Sequence, residues 1–246
     1  MPRHLLTHAE RPDLADRVDF DVWPAYNTHG DVLNRYWRRL YDEFPEFQFV
    51  LYDEDEDVVL GEGHTIPCAW DGTPEGLPAG IDGMIEHGFR LREEGGEPTA
   101  LSAMAIEIRP EAQGGGLSRA MLEGMREIAR RHGLGALLAP VRPSWKERYP
   151  LTPIERYARW TREDGLPFDP WIRTHVRLGG EILRPEPRSM RISGTVAEWE
   201  EWTEMAFPES GDYWFPEGLA TVAIDRERNQ GRYWEPNVWM RHALPR

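Results

Sequence analysis

The amino-acid sequence predicts an α/β fold, arranged as one domain with a C-terminal elaboration. Strand-like and helix-like segments follow one another along most of the 246 residues, because the apolar spacing changes between alternation and a helical period. Several helix ends carry good capping residues, and neither an internal repeat nor a low-complexity linker divides the chain. We therefore expect residues 1–184 to form the core and residues 185–246 to complete the same domain.

The sequence pattern of the first part of the chain predicts two helices and two strands. Apolar residues at helical spacing favour one helix over 31–44. Residues 47–52 and 58–66 have the pattern of strands, and the acidic turn 53–57 between them lacks the glycine and the distal glutamate of a calcium-binding loop. A shorter helical pattern covers 80–94, inside a segment that is rich in glycine and proline.

The second part of the chain has clearer element boundaries. An apolar stretch that ends at Pro110 favours a central strand, and an amphipathic helix follows over 117–132. A further strand covers 136–141. The next helix has Asp169 as a good N-cap and Gly179 where a left-handed C-cap belongs. In the tail we expect strand-like pieces at 188–194, 219–225 and 237–242, and a helix over 195–207.

Composition and charge exclude several classes of partner. The formal net charge of -14 predicts a surface that repels nucleic acids and anionic membranes, and that suits a cationic acceptor. No apolar stretch is long enough to cross a bilayer, and the N-terminus has no apolar run of a secretory signal. Cys68 is the only cysteine, which fits a reducing compartment. We expect a cytoplasmic protein with no nucleic-acid partner and no membrane partner.

Three consecutive glycines separate the central strand from the amphipathic helix. The first turn of a helix offers unpaired N–H groups and the positive end of the helix dipole, and glycines let an anion approach them closely. A P-loop would require lysine and Ser/Thr after the last glycine, but Leu117 and Ser118 follow it. A dinucleotide fingerprint requires a different glycine spacing and an acidic residue after the next strand. The loop therefore predicts a phosphate or diphosphate cradle of another class.

Around this loop the sequence resembles the GNAT superfamily of acyl-CoA-dependent N-acetyltransferases. The resemblance rests on Ile108-Arg109-Pro110 and on Gln113-Gly114-Gly115-Gly116-Leu117-Ser118, where Ser118 replaces the usual glycine or alanine. It implies a mixed, mostly antiparallel sheet that is splayed in the middle to admit pantetheine, with helices on both faces. It also implies acetyl-CoA or another acyl-CoA as co-substrate. The cofactor-binding residues that it implies are Ile106, Ile108, Gln113, Gly114, Gly115, Gly116, Leu117, Ser118 and Arg119.

A second match lies in the helix after Asp169, where the family often has Tyr-x-x-x-Gly-Phe. The family tyrosine commonly protonates the departing CoA thiolate, and His175 stands at its position here. Because the pKa of histidine is about 6.5 and that of a thiol about 8.5, His175 could pass a proton to a thiolate. It could equally act as a base, or only pack beside Trp171 and Leu178.

Glu107 is the second candidate catalytic residue. It lies on the central strand, and the side chains of Ile106 and Ile108 alternate to the other face. A carboxylate at this place could draw a proton from an amine through water, while backbone N–H groups of the strand polarise the thioester carbonyl. The alternative is a solvent-facing strand residue.

These features predict an enzyme that transfers an acetyl or other acyl group from acyl-CoA to a small-molecule or peptide amine by direct attack in a ternary complex. Two alternatives stay open. GNAT-like domains of polyketide loading modules decarboxylate a malonyl thioester and pass the acyl group to a carrier protein, and a non-catalytic acyl-CoA-binding module would keep the same loop. The histidines show no paired ligand spacing, so no metal site is predicted. The tryptophan-rich tail leaves a homodimer possible.

Overall fold

The structure is a computed structural model, and it describes residues 3–244. The α-helices are α1 (Leu33–Tyr36), α2 (Arg39–Glu43), α3 (Gly80–Glu93), α4 (Leu117–Arg131), α5 (Ile154–Tyr157), α6 (Pro170–Arg177) and α7 (Val196–Thr203). The strands are β1 (Arg3–Thr7), β2 (Gln48–Asp53), β3 (Val58–Cys68), β4 (Ala100–Ile108), β5 (Ala136–Val141), β6 (Glu181–Gly194), β7 (Gly211–Tyr213), β8 (Val222–Asp225) and β9 (Gln230–Ala243).

The strands form one mixed sheet in the order β1-β2-β3-β4-β5-β9-β8-β7, and β6 pairs with β9. Neighbouring strands are antiparallel except for β4 and β5, which are parallel. The predicted mixed, mostly antiparallel sheet is therefore confirmed. The division into 1–184 and 185–246 falls inside β6, and it stays a prediction.

β4 and β5 separate soon after they begin to pair. Their register comprises two residue pairs, Leu101 with Leu137 and Ser102 with Leu138, although both strands continue further. Against β3, the register of β4 shifts so that Met104 is an extra residue, and a bulge of this kind bends a strand and increases its twist. Beyond the bulge, one backbone edge of β4 is covered by no strand of the described chain.

Helices cover both faces of the sheet, as expected. Neighbouring side chains of a strand point to opposite faces. On β3, Glu62 accepts a hydrogen bond of 2.7 Å from Tyr41 of α2, whereas Gly61 faces Met121 of α4. The main hydrophobic core lies between the sheet and the longer helices α3 and α4.

The helix ends follow the capping residues in the sequence. The Asp169 side chain accepts hydrogen bonds from the amides of Trp171 and Ile172 at the start of α6. Gly133 and Gly179, which follow α4 and α6, have φ values of 68° and 81°. Only glycine adopts this left-handed conformation without steric cost.

The expectation of one helix over 31–44 is wrong. The chain forms two short helices, and at their junction the amides of Leu40 and Tyr41 donate to the carbonyls of Trp37 and Arg38. These bonds span three residues instead of four, so the turn tightens locally and the α-helical ladder is interrupted. The apolar spacing does not reveal this change, because residues that are three and four apart both stay on one face.

The tail builds a second hydrophobic cluster while it extends the sheet. Trp199 of α7 is fully buried there, together with Phe215 and Tyr233. Trp239 lies on the same strand as Tyr233 but packs in the main core. β9 therefore connects the two clusters, whereas Trp214 is 51% exposed.

Candidate active site

A cleft of about 1290 Å³ opens where β4 and β5 diverge. Its wall includes the glycine loop before α4, the uncovered edge of β4, α6, and polar residues that directly follow β5 or lie within β9. Most small-molecule sites have volumes of about 300–1,000 Å³, so this cleft has room for a long ligand and a second molecule. Of the predicted site residues, those that line it are Ile106, Glu107, Ile108, Gln113, Gly114, Gly116, Leu117, Ser118 and His175.

The glycine loop presents free backbone amides to the cleft. Gly114 and Gly116 have φ values of 78° and 77°, and a Cβ atom added at either residue would meet nothing within 4 Å. The conformation, and not crowding, therefore requires glycine. Among the described residues, no acceptor takes a hydrogen bond from the amides of residues 114–118. These amides stand at the N-terminus of α4, where a helix attracts an anion.

Two of the residues that were predicted to bind the diphosphate use their backbone amides in other hydrogen bonds. The Gln113 amide donates to the Pro110 carbonyl at 3.2 Å, and its side chain donates to the Ile108 carbonyl at 3.1 Å. Gln113 therefore braces the loop, and its amide is not free for a phosphate, contrary to our expectation. The Arg119 amide donates to the Gly116 carbonyl at 3.1 Å. Gly115 and Arg119 are not part of the cleft wall.

Ile106 and Ile108 lie on the half of β4 that β5 does not cover. Their side chains pack against the main core, while the backbone of this half borders the cleft. In an extended strand, the N–H and C=O groups of alternate residues point to opposite edges. Every second residue here therefore directs its backbone hydrogen-bonding groups towards the cleft.

His175 forms a buried pair with a residue that sequence reasoning did not select. Its Nδ1 lies 3.0 Å from Nε2 of His242 on β9, and the two residues are 2% and 1% exposed. Nε2 of His175 and Nδ1 of His242 have no partner in the described structure. The pair joins positions that are 67 residues apart, so no local motif could have predicted it.

The two histidines are neutral at pH 7. Burial, with His242 close by, lowers the pKa of His175 from 6.5 to about 3. Burial, with Arg126 nearby, lowers the pKa of His242 to about 4. The imidazolium that our expectation required of His175 is therefore rare at neutral pH. A neutral ring instead offers either an N–H or a lone pair at Nε2, depending on which ring donates the shared hydrogen bond.

Glu107 is buried in the cleft wall, at 9% exposure, so the solvent-facing alternative is wrong. In the antiparallel register it lies directly opposite Glu62, on the same face of the sheet. Burial raises the pKa of Glu107. Burial also acts to raise the pKa of Glu62, but hydrogen bonds from His64 and Tyr41 outweigh it and lower that pKa. Of the two carboxylates, Glu107 takes up a proton more readily, as a general base must.

The part of the cleft wall formed by β9 and by the residues after β5 holds a polar network that the sequence analysis missed. Glu235 on β9 is 2% exposed, and it accepts hydrogen bonds from Nε of Arg142 at 2.5 Å, from Tyr233 at 2.7 Å and from Asn27 at 3.1 Å. Arg142 directly follows β5. The available signal was a glutamate inside the otherwise apolar and aromatic segment of β9.

The two tyrosines between β5 and α6 do not line the cleft. Tyr157 donates to Asp169 at 2.8 Å and packs among aromatic rings, and Tyr149 does not line the cleft. Within residues 3–244, no three or more His, Cys, Asp or Glu side chains cluster so that they could hold a metal ion. The helices of the same range include none with the length and apolar character that a membrane span needs.

No protein-family model matches this chain, but several known proteins resemble it. The arginine N-acetyltransferase avaD of Aspergillus versicolor is 29% identical over 275 residues, which cover 98% of this chain and 93% of that protein. The loading GNAT-like domain of CurA from Lyngbya majuscula has a TM-score of 0.56 at 16% identity, with 99% and 98% of the two chains covered. The GphF GNAT-like decarboxylase in complex with isobutyryl-CoA has a TM-score of 0.55 at 18% identity, with 100% of both chains covered.

The solved structures show that the fold is the GNAT fold. The arginine N-acetyltransferase avaD, which matches over almost the whole chain, has the kind of activity that the resemblance implied. With the split between β4 and β5 and the free amides before α4, these similarities confirm the resemblance of the chain to the GNAT superfamily.

Proposed function

We propose that this protein is an N-acetyltransferase that transfers an acyl group from acyl-CoA to an amine by direct attack in a ternary complex. One observation carries the proposal. A single cleft is lined by the glycine cradle, by the uncovered half of β4 and by the buried His175, whose Nε2 has no partner in the described structure. These are the groups that a long thioester with a diphosphate at one end would require.

The residues present fit acyl-CoA, which supplies the acyl group as an activated thioester. The free amides of residues 114–118 would hold the diphosphate at the start of α4. The backbone of Ile106 and Ile108 would pair with the pantetheine arm and orient the thioester carbonyl, because its neighbouring edge carries no strand. The bulge at Met104 bends β4 at the point where the two strands diverge.

His175 would act at the sulfur as a neutral group. When His242 donates the shared hydrogen bond, Nε2 of His175 carries the hydrogen and would donate a hydrogen bond to the thiolate, without transferring the proton, as the C–S bond breaks. No imidazolium is needed, in keeping with the lowered pKa of His175. His242 would then be a positioning residue, since it sets the tautomer of His175 and does not touch the substrate.

Glu107 would remove the proton from the acceptor amine, directly or through one water molecule. Its raised pKa makes the carboxylate a better base than an exposed glutamate. In the balanced step, the amine nitrogen forms a bond to the acyl carbon, the C–S bond breaks, and the amine proton leaves through Glu107. The thiolate then takes its proton from solvent.

The proposal is tested with acetyl-CoA and a panel of amines that begins with arginine, the substrate in the name of avaD. We expect acetyl-CoA to bind in isothermal titration calorimetry and mass spectrometry to find an acetylated amine and free CoA. Absence of acetyl-CoA binding would sink the proposal. Malonyl-CoA is tested in parallel, because conversion to acetyl-CoA without an amine would indicate the decarboxylase alternative. Binding without any turnover would indicate a non-catalytic module.

The role of His175 is tested by His175→Ala, with His132→Ala as the control, because His132 is exposed after α4 and outside the cleft wall. Loss of the hydrogen-bond donor at the sulfur should reduce kcat by about 10²–10³-fold and leave acetyl-CoA affinity nearly unchanged. The control should retain wild-type turnover. If His175→Ala also retained wild-type turnover, His175 would only pack.

A further inference from the structure

We propose that Arg142 forms a subsite for a carboxylate of the acceptor. The substrate would then be an amino acid or another amine that bears a carboxylate. This inference rests on the proposed acyl transfer, and it adds a substrate class and a specificity-determining residue.

Arg142 has two N–H groups to spare, and they are held in a fixed orientation. Its Nε donates to Glu235 at 2.5 Å, and its Nη2 donates to the Tyr26 hydroxyl and to the Glu217 carbonyl, each at 2.9 Å. Nη1 has no acceptor among the described residues. The side chain is 22% exposed and lines the cleft, so a ligand in the cleft can reach the free nitrogen.

The network favours an anionic ligand group over a cationic one. Both oxygens of Glu235 are already engaged, one by Arg142 and Asn27 and the other by Tyr233 and Tyr26. A cation could bind Glu235 only by displacing these donors. The free groups are the donors on Nη1, and a guanidinium nitrogen offers a carboxylate strong, charge-assisted hydrogen bonds.

Two neighbours add polar groups to the same corner. Asn237 is 4% exposed and lines the cleft, and its side-chain amide makes no hydrogen bond within the described chain. The register pairs Val141 with Val238. Arg142, which follows β5, and Asn237 of β9 therefore lie opposite each other on neighbouring backbone segments. Ser144 also lines the cleft, without a side-chain partner in residues 3–244.

The position of Arg142 beside the split between β4 and β5 also suits an acceptor. Arg142 continues directly from β5, the strand that borders the split with β4. The glycine cradle follows β4, the strand on the other side of the split. A molecule anchored at Arg142 would therefore face the diphosphate across the split and extend its amine towards the thioester. Because the guanidinium is held by three hydrogen bonds, little conformational entropy is lost when the carboxylate binds.

The first experiment uses the wild-type protein and needs no variant. We compare arginine, arginine amide and agmatine, which keep the side chain but differ in the carboxylate, in turnover and in calorimetric binding to the protein saturated with CoA. We expect arginine to exceed both analogues by at least about tenfold in kcat/KM and in affinity, the scale of a charge-assisted hydrogen bond. Equal values for the three compounds would overturn the subsite.

The second experiment uses Arg142→Lys, which keeps a positive charge near Glu235 but lacks the planar fork. The preference for arginine over agmatine should fall to within about twofold, whereas Arg156→Lys, an exposed change outside the cleft wall, should leave it intact. An unchanged preference in Arg142→Lys would overturn the assignment.

Two outcomes separate this inference from the proposed function. Carboxylate-dependent binding without turnover would refute the proposed acetyltransferase activity and support the subsite. Turnover without a carboxylate preference would support that activity and refute the subsite. The carboxylate could also belong to a malonyl donor. If Arg142→Lys weakened malonyl-CoA relative to acetyl-CoA and left acceptor preference intact, the acceptor assignment would be overturned.

Discussion

At the scale of single residues, the site holds ionisable groups in a dry environment that decides their charge. His175 and His242 share one hydrogen bond and are both almost completely buried, and burial disfavours the charged form of each ring. Glu107 experiences the same effect, with the opposite direction of pKa shift. The site therefore combines a neutral histidine with a carboxylate of increased basicity, which suits proton removal from an amine.

The histidine pair should make the protein sensitive to acid. The pKa values of His175 and His242 in the folded state, about 3 and about 4, lie below the ordinary 6.5. Between pH 6.5 and 4 the unfolded chain therefore binds more protons, so stability is complete above pH 6.5 and is lost as the pH falls. Each histidine should cost up to about 2 kcal/mol between pH 6.5 and pH 5.

This prediction is checked by urea unfolding of wild type and His242→Gln at pH 7 and pH 5. The variant should lose less unfolding free energy between the two pH values, because it has one ring fewer to protonate. His4→Gln is the control, since the His4 side chain is 46% exposed. A loss as large in His242→Gln as in wild type would contradict the burial argument.

At the scale of elements, α4 and the loop before it carry the cofactor hypothesis. The helix has a left-handed glycine at each end, Gly116 with φ 77° and Gly133 with φ 68°. Neither would crowd a Cβ atom, so the strain of a substitution is similar at the two ends. Only Gly116 lines the cleft, and this difference separates a role in binding from a role in folding.

Gly116→Ala and Gly133→Ala form a matched pair. Each should lower the free energy of unfolding by about 1–2 kcal/mol, the cost of placing a side chain in the left-handed region. Calorimetric titration should show at least about tenfold weaker binding of acetyl-CoA to Gly116→Ala only. Equal affinity in the two variants would mean that the loop does not hold the ligand.

Sequence reasoning predicted elements better than contacts. The capped helix α6 and the glycine loop were found because their signals are local, whereas the interruption near Trp37 changes hydrogen bonds without changing which face is apolar. His242 and the Arg142–Glu235 pair were not found, because these contacts join positions 67 and 93 residues apart. The protonation state of His175 depends on burial by β9, which no spacing in its own helix encodes.

At the scale of the whole molecule, β9 contributes residues both to the two hydrophobic clusters and to the candidate site. Its Tyr233 and Trp239 lie in different hydrophobic clusters, and the same strand carries Glu235, Asn237 and His242. The C-terminal segment is therefore part of the cleft and not an appendage to it. The homodimer, the cytoplasmic location and the absence of nucleic-acid and membrane partners stay predictions.

Trp199→Ala tests whether the two hydrophobic clusters unfold together, because Trp199 is 0% exposed in the cluster that does not contain the glycine cradle. The substitution should lower the free energy of unfolding by about 3–5 kcal/mol. Because β9 is shared, acetyl-CoA binding and secondary structure should be lost at the same, lower urea concentration. If binding persisted after circular dichroism reported the loss of the C-terminal elements, the two clusters would be independent.

A crystal structure of the complex with acetyl-CoA tests the central claim most directly. Our account predicts the diphosphate within hydrogen-bonding distance of the amides of residues 114–118, with pantetheine along Ile106 and Ile108 and the sulfur next to Nε2 of His175. A diphosphate bound elsewhere, with those amides still free, would contradict it.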